Sequence, residues 1–251
     1  MTRPREIAPS LHYLPLSVGQ AHVWMDDDGA TLIDTGGPGS LPEIQAAFRQ
    51  LGIGADGLRR IVLTHGHGSN AGATAEVARW ARDAEVIAHC DDSAVIRGEH
   101  SLPRPRLDGP NTYLTAELIA ALASYPAAPV HTEVNHLDIV DFGGGAVVYH
   151  TPGHTAGSMT IHLPEPRVAF TGGAIIRTAQ AITTGIATVD SDVALASFAR
   201  IALLEPDIAC FGLGPPIVAN AGEKLLAALD ALEQPVTGSS GGGSEARLCA
   251  W

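Results

Sequence analysis

Short apolar runs separated by polar, glycine-rich breaks organise the chain. Ala21 to Met25 and Ala30 to Ile33 are two such runs, split by Asp26-Asp27-Asp28-Gly29. An acidic cluster ending in glycine marks a hairpin, and the aspartates read as a solvated turn. After Asp34-Thr35-Gly36-Gly37-Pro38-Gly39-Ser40, the apolar positions Ile44, Ala47, Phe48 and Leu51 recur at helical spacing and predict a helix over 41–51. Arg60 to Leu63 reads as a buried strand running into Thr64-His65-Gly66-His67-Gly68-Ser69-Asn70. A helix over 71–82 and a strand over 85–88 follow. Residues 99–112 are proline-rich and irregular, and 114–124 is helical. Strands are expected over 137–142 and 146–150, split by Gly143-Gly144-Gly145, then over 159–163, 168–170 and 208–211. Helices are expected over 193–204 and 220–233. Strand-rich halves, each flanked by helices, predict an α/β fold with two sheets face to face and helices outside.

With 251 residues, 45% of them hydrophobic, the chain can bury a large core in one two-layered α/β unit. Charged residues make up 17%, and 28 glycines and 17 prolines make the chain rich in turns. A single domain over 1–237 is expected. The segment 238–251 opens with a Gly/Ser-rich stretch and reads as a linker or a vector-derived remnant. The formal charge of −12 gives little attraction for nucleic acid or an anionic membrane. Residues 1–10 carry charges and prolines where a signal peptide needs an apolar stretch, and no run is long enough to span a bilayer. A soluble cytoplasmic protein acting on a small molecule is expected, without nucleic-acid or membrane partners. Cys90, Cys210 and Cys249 are odd in number and far apart, which speaks against a disulfide framework. Cys210 reads as a buried strand residue that could also approach a pocket.

Among the 11 histidines, His12, His22, His100, His131, His136 and His162 carry no motif and read as surface or core residues. His89 and His150 stand at strand ends, where a supporting role and a structural one are both open. His65 and His67 are different. They sit two apart after a buried strand, so an extended backbone puts both imidazoles on one face. The flanking glycines allow a tight turn. Zinc needs three or four ligands, and His154, between Pro152-Gly153 and Gly157-Ser158, is the natural third. Three neutral imidazoles leave an open coordination position, as metal-assisted hydrolysis requires.

The sequence resembles the metallo-β-lactamase superfamily to about residue 235. That family's T-H-x-H-x-D-H-x-G signature corresponds to Thr64-His65-Gly66-His67-Gly68-Ser69-Asn70-Ala71-Gly72, and its T-P-G-H-T-x-G-S loop matches Thr151 to Ser158. Phe170-Thr171-Gly172-Gly173 is close to F-T-G-D, Gly212-Leu213-Gly214-Pro215-Pro216 to G-H-G-P-P, and Leu32-Ile33-Asp34-Thr35-Gly36 is intact. The resemblance implies a four-layer αββα sandwich of two mixed β-sheets with outer helices. It also implies that the ligands of a second metal fall at Ser69, Asn70, Gly173 and Leu213, none of which retains the family's ligand. One zinc on His65, His67 and His154 is therefore expected, the second site having been remodelled by selection or removed by deliberate substitution.

Asp34 is expected to support the histidine loop, although a turn residue would also fit. Ser69 and Asn70 are expected to take part in catalysis by hydrogen-bonding a neutral substrate. Ser69 as a covalent nucleophile with a histidine base is a weaker alternative. Beyond Arg177, no Lys or Arg lies near a site motif, which disfavours phosphorylated substrates. The reading is a mononuclear zinc-dependent hydrolase of an ester, lactone or thioester. Its alternatives are an impaired or repurposed binding pocket and a non-hydrolytic biosynthetic enzyme. Nuclease activity is disfavoured by the acidic charge.

Overall fold

The computed structural model describes residues 3–105 and 115–234. The first sheet holds β1 (Arg5–Ala8), β2 (Leu11–Pro15), β3 (Gln20–Asp26), β4 (Gly29–Ile33), β5 (Leu58–Leu63), β6 (Glu85–His89) and β7 (Thr132–Val134), side by side in chain order. Its β1 to β4 pairs are antiparallel, and the pairs from β4 to β7 are parallel. Next come β8 (Ile139–Val140), β9 (Ala146–His150), β10 (Met159–Leu163), β11 (Val168–Gly172), the separate hairpin β12 (Ile175–Arg177) and β13 (Ile182–Thr184), and β14 (Ile208–Phe211). The second sheet runs β14-β11-β10-β9-β8, with only β14 and β11 parallel. Both sheets are mixed.

Strand alternation divides the apolar residues between layers. Ile33, Val62 and Ile87 face inward and meet Val148, Ile161, Phe170 and Cys210 of the second sheet. Their neighbours Leu32, Ile61, Leu63 and Val86 face outward. There they pack on α1 (Leu41–Gln50), α3 (Thr74–Trp80) and α4 (Cys90–Ile96), with the short α2 (Gly68–Ala71) and α5 (Ala116–Ala123) completing that side of the chain order. Ala209 and Phe211 face outward from the second sheet onto α6 (Ser191–Ala202) and α7 (Ala221–Glu233). The four αββα layers follow directly. Each fully buried Leu, Ile or Phe contributes about 1.5–3 kcal/mol. No helix among the described residues is long and apolar enough to cross a membrane.

Several elements differ from the sequence expectation. Of the helix expected over 71–82, only α3 forms, and the short α2 precedes it, because the backbone leaves the helical region at Ala73 (φ −95°, ψ 5°) between them. The strand expected over 137–142 shrinks to Ile139–Val140, and Leu137 has a positive φ of 69°. Strands β1, β2, β7, β12 and β13 and helix α4 have no clear pattern in the sequence. Of the expected aspartate turn, Asp27 and Asp28 are exposed, but Asp26 accepts from Trp24 Nε1 at 2.9 Å and from the Gly143 amide at 3.0 Å, tying the hairpin to the second sheet. The part of the 99–112 loop beyond residue 105, and the 238–251 tail, lie outside the described residues.

Between the sheets, His22 packs tilted against Tyr13 and edge-on against Phe170, each at a centroid distance of 5.6 Å, and its Nε2 is buried without a partner. Burial lowers its pKa to about 3. A histidine held neutral in the fold gives stability that is complete above its unfolded value of about 6.5 and is lost as pH falls below it. The urea midpoint should therefore drop between pH 7.5 and pH 5, and His22→Leu should remove part of that drop. Equal acid sensitivity in both proteins would show that His22 does not carry it.

Candidate metal centre

The site forms where the carboxyl ends of parallel strands meet the β9–β10 loop, the usual place for a ligand in an α/β sheet. β5 ends at Leu63 and delivers His65 and His67, while the β9–β10 loop delivers His154. β11 leads to Gly173 and β14 to Leu213. The three imidazoles converge: ring centroids are 4.5 Å apart for His67 and His154, 4.6 Å for His65 and His154, and 5.0 Å for His65 and His67. One nitrogen from each lies within 4.8 Å of the others. All three rings are buried. Burial lowers all three pKa values, that of His67 to about 4, with the neighbouring His67 adding to the effect on His65 and His154. The rings are thus neutral near pH 7, the state a metal requires.

Two threonines set the direction of the lone pairs. The Thr64 hydroxyl donates to Asp34 Oδ2 at 2.8 Å and lies 3.0 Å from His65 Nδ1. A hydroxyl has one proton, so with that proton on Asp34 it accepts from the His65 Nδ1–H. The Thr188 hydroxyl donates to Gly185 O at 2.7 Å and lies 3.3 Å from His154 Nδ1. The same reasoning puts the His154 proton on Nδ1. Both rings then turn a bare Nε2 inward, where His154 Nε2 lies 2.9 Å from His67 Nδ1. His67 Nε2 is buried without a partner.

Asp34 is the anchor of this arrangement. It sits in the left-handed region at φ 60°, a conformation that aspartate tolerates better than most residues. It accepts from the Thr64 amide and the Asn70 amide nitrogen, both at 2.8 Å, besides the Thr64 hydroxyl. Burial pushes its carboxyl up to about 6 against these hydrogen bonds. Asp34 therefore touches the histidine loop through Thr64. Asn70 directs its amide to Asp34, and its Oδ1 accepts from the Ser69 hydroxyl at 2.9 Å. That hydroxyl proton is thus committed to Asn70, not to a histidine base.

Sequence reasoning misses a second carboxylate, Asp92. It is buried at the start of α4 and accepts from the Gly66 amide at 2.8 Å, the Thr155 hydroxyl at 2.7 Å and the Gly157 amide at 2.8 Å. One side chain thereby joins the loop of His65 and His67 to the loop of His154. Its only sequence signal is an acid shortly beyond a strand end, in a helix with no visible pattern. Thr188 gives no signal, because the chain between β13 and α6 has no periodicity.

The three histidines together form a donor set that fits a metal ion. Three neutral nitrogens converge, whereas Ser69 and Asn70 bond one another, Gly173 has no side chain and Leu213 offers hydrocarbon. The His154 ring fills the space beside Gly173: an added Cβ there would lie 2.1 Å from His154 Nε2, so the ring would have to shift, and one at Gly185 would lie 2.8 Å from His154 Nδ1. The ring of His154 stands between two glycines, in space that a side chain at 173 would take. The pocket over the histidines measures about 130 Å³ and is walled by Leu122, Ile176, Ile186 and Leu213. A larger cavity of about 590 Å³ beside α5 contains none of the three histidines.

A family model of the metallo-beta-lactamase superfamily matches residues 16–213. The chain belongs to the metallo-beta-lactamase superfamily. Membership makes it a metallo-hydrolase relative with a fold that implies metal binding, and the histidine cluster offers donor atoms for a metal. It is 26% identical over 238 residues to the probable metallo-hydrolase YflN of Bacillus subtilis (strain 168), covering 84% of this chain and 86% of that protein. It is also 32% identical over 138 residues to the uncharacterized protein YobT of the same organism, spanning 54% of this chain and about half (52%) of YobT. Solved superfamily structures share the fold. A metallo-beta-lactamase family protein from Thermus thermophilus superposes with a TM-score of 0.68 at 18% identity, covering 91% of this chain and 81% of that one. A Cronobacter sakazakii metallo-beta-lactamase with a mutated HARLDQ motif gives 0.69 at 20%, covering 92% and 95%.

Gly173→Ala should force the His154 ring aside and weaken metal binding by about 10–100-fold, the scale of lost ligand support; chelator competition reads this directly, and unchanged affinity would refute the glycine cradle. Asp92→Asn places an amide NH₂ against N–H donors and should lower unfolding free energy by about 1–3 kcal/mol. Denaturant titration checks it, with wild-type stability as the contrary result.

Proposed function

We propose that the protein is a mononuclear zinc-dependent hydrolase of a neutral ester, lactone or thioester. The observation that carries this reading is the meeting of three buried neutral imidazoles beside four positions that offer a second ion no ligand. Zinc on such a set supplies a Lewis acid that activates water near neutral pH. His65, His67 and His154 hold it, and Asp34 acts as a positioning residue through Thr64. Leu122, Ile176, Ile186 and Leu213 hold the acyl part of the substrate and exclude bulk water.

Ser69 lines the pocket with hydroxyl lone pairs free to accept from a substrate N–H or O–H, while Asn70 keeps Ser69 in place. No Lys or Arg lines the pocket among the described residues, and Arg177 turns its guanidinium to the Pro216 carbonyl at 3.1 Å. A charged phosphate finds no partner there. Gly173 brings no carboxylate to accept a proton, which lowers the rate by roughly 10²–10⁴-fold relative to a site that has one.

A second reading, a pocket that binds without turnover, draws support from the 2.9 Å contact between His67 and His154, which lets the rings satisfy one another in part. A panel of neutral esters, lactones and thioesters separates the two. The hydrolase reading expects turnover that chelator abolishes, that one equivalent of zinc restores, and that His154→Ala reduces to background. Binding of panel compounds without turnover in the zinc-loaded protein would favour the second reading, and turnover indifferent to chelator would contradict both.

A further inference from the structure

The pocket over the histidines is small, and its mouth is apolar. Its volume is about 130 Å³, well below the roughly 300–1,000 Å³ of a site that encloses a drug-sized ligand. At about 30 Å³ per water-sized group, it holds roughly four non-hydrogen atoms. A larger substrate must leave part of itself outside. Three apolar side chains stand at the opening. Leu213 lines the pocket yet is 43% exposed, so it belongs to both wall and rim. Leu118 lies one turn before the pocket residue Leu122 on the same face of α5 and is 39% exposed. Val18, 49% exposed, precedes the pocket residue Gly19, and its carbonyl accepts from the Gly37 amide at 2.9 Å. No Lys, Arg, Asp or Glu lines the pocket among the described residues.

We propose, on the basis of the hydrolase reading above, that the substrate joins a short acyl group to an apolar leaving group that departs as an anion, a thiolate or a phenolate. The acyl group, of about four carbons or fewer, fills the enclosed part of the pocket. The leaving group lies on Leu213, Leu118 and Val18. The available protons decide how it leaves. Among the described residues, the Ser69 hydroxyl donates to Asn70 Oδ1, the Asn70 amide to Asp34, and the nearby Tyr125 hydroxyl to the Gly66 carbonyl. The three imidazoles are the metal's ligands, and Gly173 offers no acid. No side chain of the pocket is left to protonate a departing atom.

Thiols and phenols ionise near about 8.5 and 10, whereas an alkoxide is about as basic as hydroxide. The first two can therefore leave unprotonated, and an alkoxide cannot. An anion forming among Leu122, Ile176 and Ile186 would lack solvation, so the leaving atom faces the mouth, where water meets it. The step balances with water alone. Its oxygen bonds to the acyl carbon, the bond from that carbon to sulfur or phenol oxygen breaks, and the electron pair departs on the leaving atom. Both protons of the water pass to solvent, and the products are a carboxylate and a thiolate or phenolate. A thiol carrying phosphates fits poorly, because the chain has a formal charge of −12 and no cation in the pocket lining to receive them.

Turnover by the zinc-loaded protein and binding to the metal-free protein test this together. Para-butylphenyl acetate and the acetyl thioester of hexanethiol should both be hydrolysed, the faster of the two identifying the leaving atom. Hexyl acetate should be slower by about 10²–10⁴-fold, the contribution of an absent general acid. Replacing acetyl by octanoyl on the same phenol should lower kcat/KM at least about tenfold, and Leu122→Ala should recover part of that loss. By calorimetry, para-butylphenol should bind the metal-free protein, and Leu213→Ser and Leu118→Ser should each weaken it by roughly three- to tenfold. Hexyl acetate hydrolysed as fast as the phenyl ester, octanoyl preferred to acetyl, or no binding of the phenol would each overturn this specificity and leave the hydrolase reading standing. Absence of turnover on every compound would contradict the hydrolase reading and this inference with it.

Discussion

Three imidazoles buried against one another have to remain uncharged, and the architecture around them follows from that constraint. A proton on any ring would place a cation in the interior beside two others competing for the same space. Burial suppresses that charge, and two threonine hydroxyls, each with its own proton donated elsewhere, take the Nδ1 protons of His65 and His154. The outcome is a bare Nε2 on His65 and on His154, with His67 Nδ1 donating to His154 Nε2 across 2.9 Å. Asp34 and Asp92 serve this arrangement from two sides. Asp34 acts through Thr64 on one ring, and Asp92 fastens the two ligand-bearing loops together.

The side of the pocket opposite the histidines has become a different environment. Ser69, Asn70, Gly173 and Leu213 form neither an anionic nor a basic surface. Asn70 has joined the buried Asp34 network, so its amide now stabilises the fold. The most consequential position is Gly173, since His154 occupies the space a side chain would need. Restoring four ligand residues by substitution would therefore confront a steric barrier at one of them.

Much of the architecture is legible in the chain. Strands β9, β10 and β14 match their apolar runs to the residue, and His65 and His67 are marked by their spacing after a buried strand. The elements that escape notice share a physical reason. Strands β1, β7, β12 and β13 run three or four residues, too short for alternation to register, and α4 begins with Cys90-Asp91-Asp92, which carries no helical apolar spacing. Asp92 and Thr188 are invisible because their importance lies in contacts with loops 65 and 34 residues distant, at Gly157 and His154. A positive φ at Asp34 and the close approach at Gly173 are likewise properties of packing that no local pattern announces.

The direct test of the central claim is zinc K-edge absorption spectroscopy on the protein loaded with one equivalent of zinc. The account predicts three imidazole nitrogens at about 2.0–2.1 Å around a single zinc, with no sulfur. A metal–metal separation near 3.5–4 Å, or fewer than three imidazoles on the ion, would contradict it.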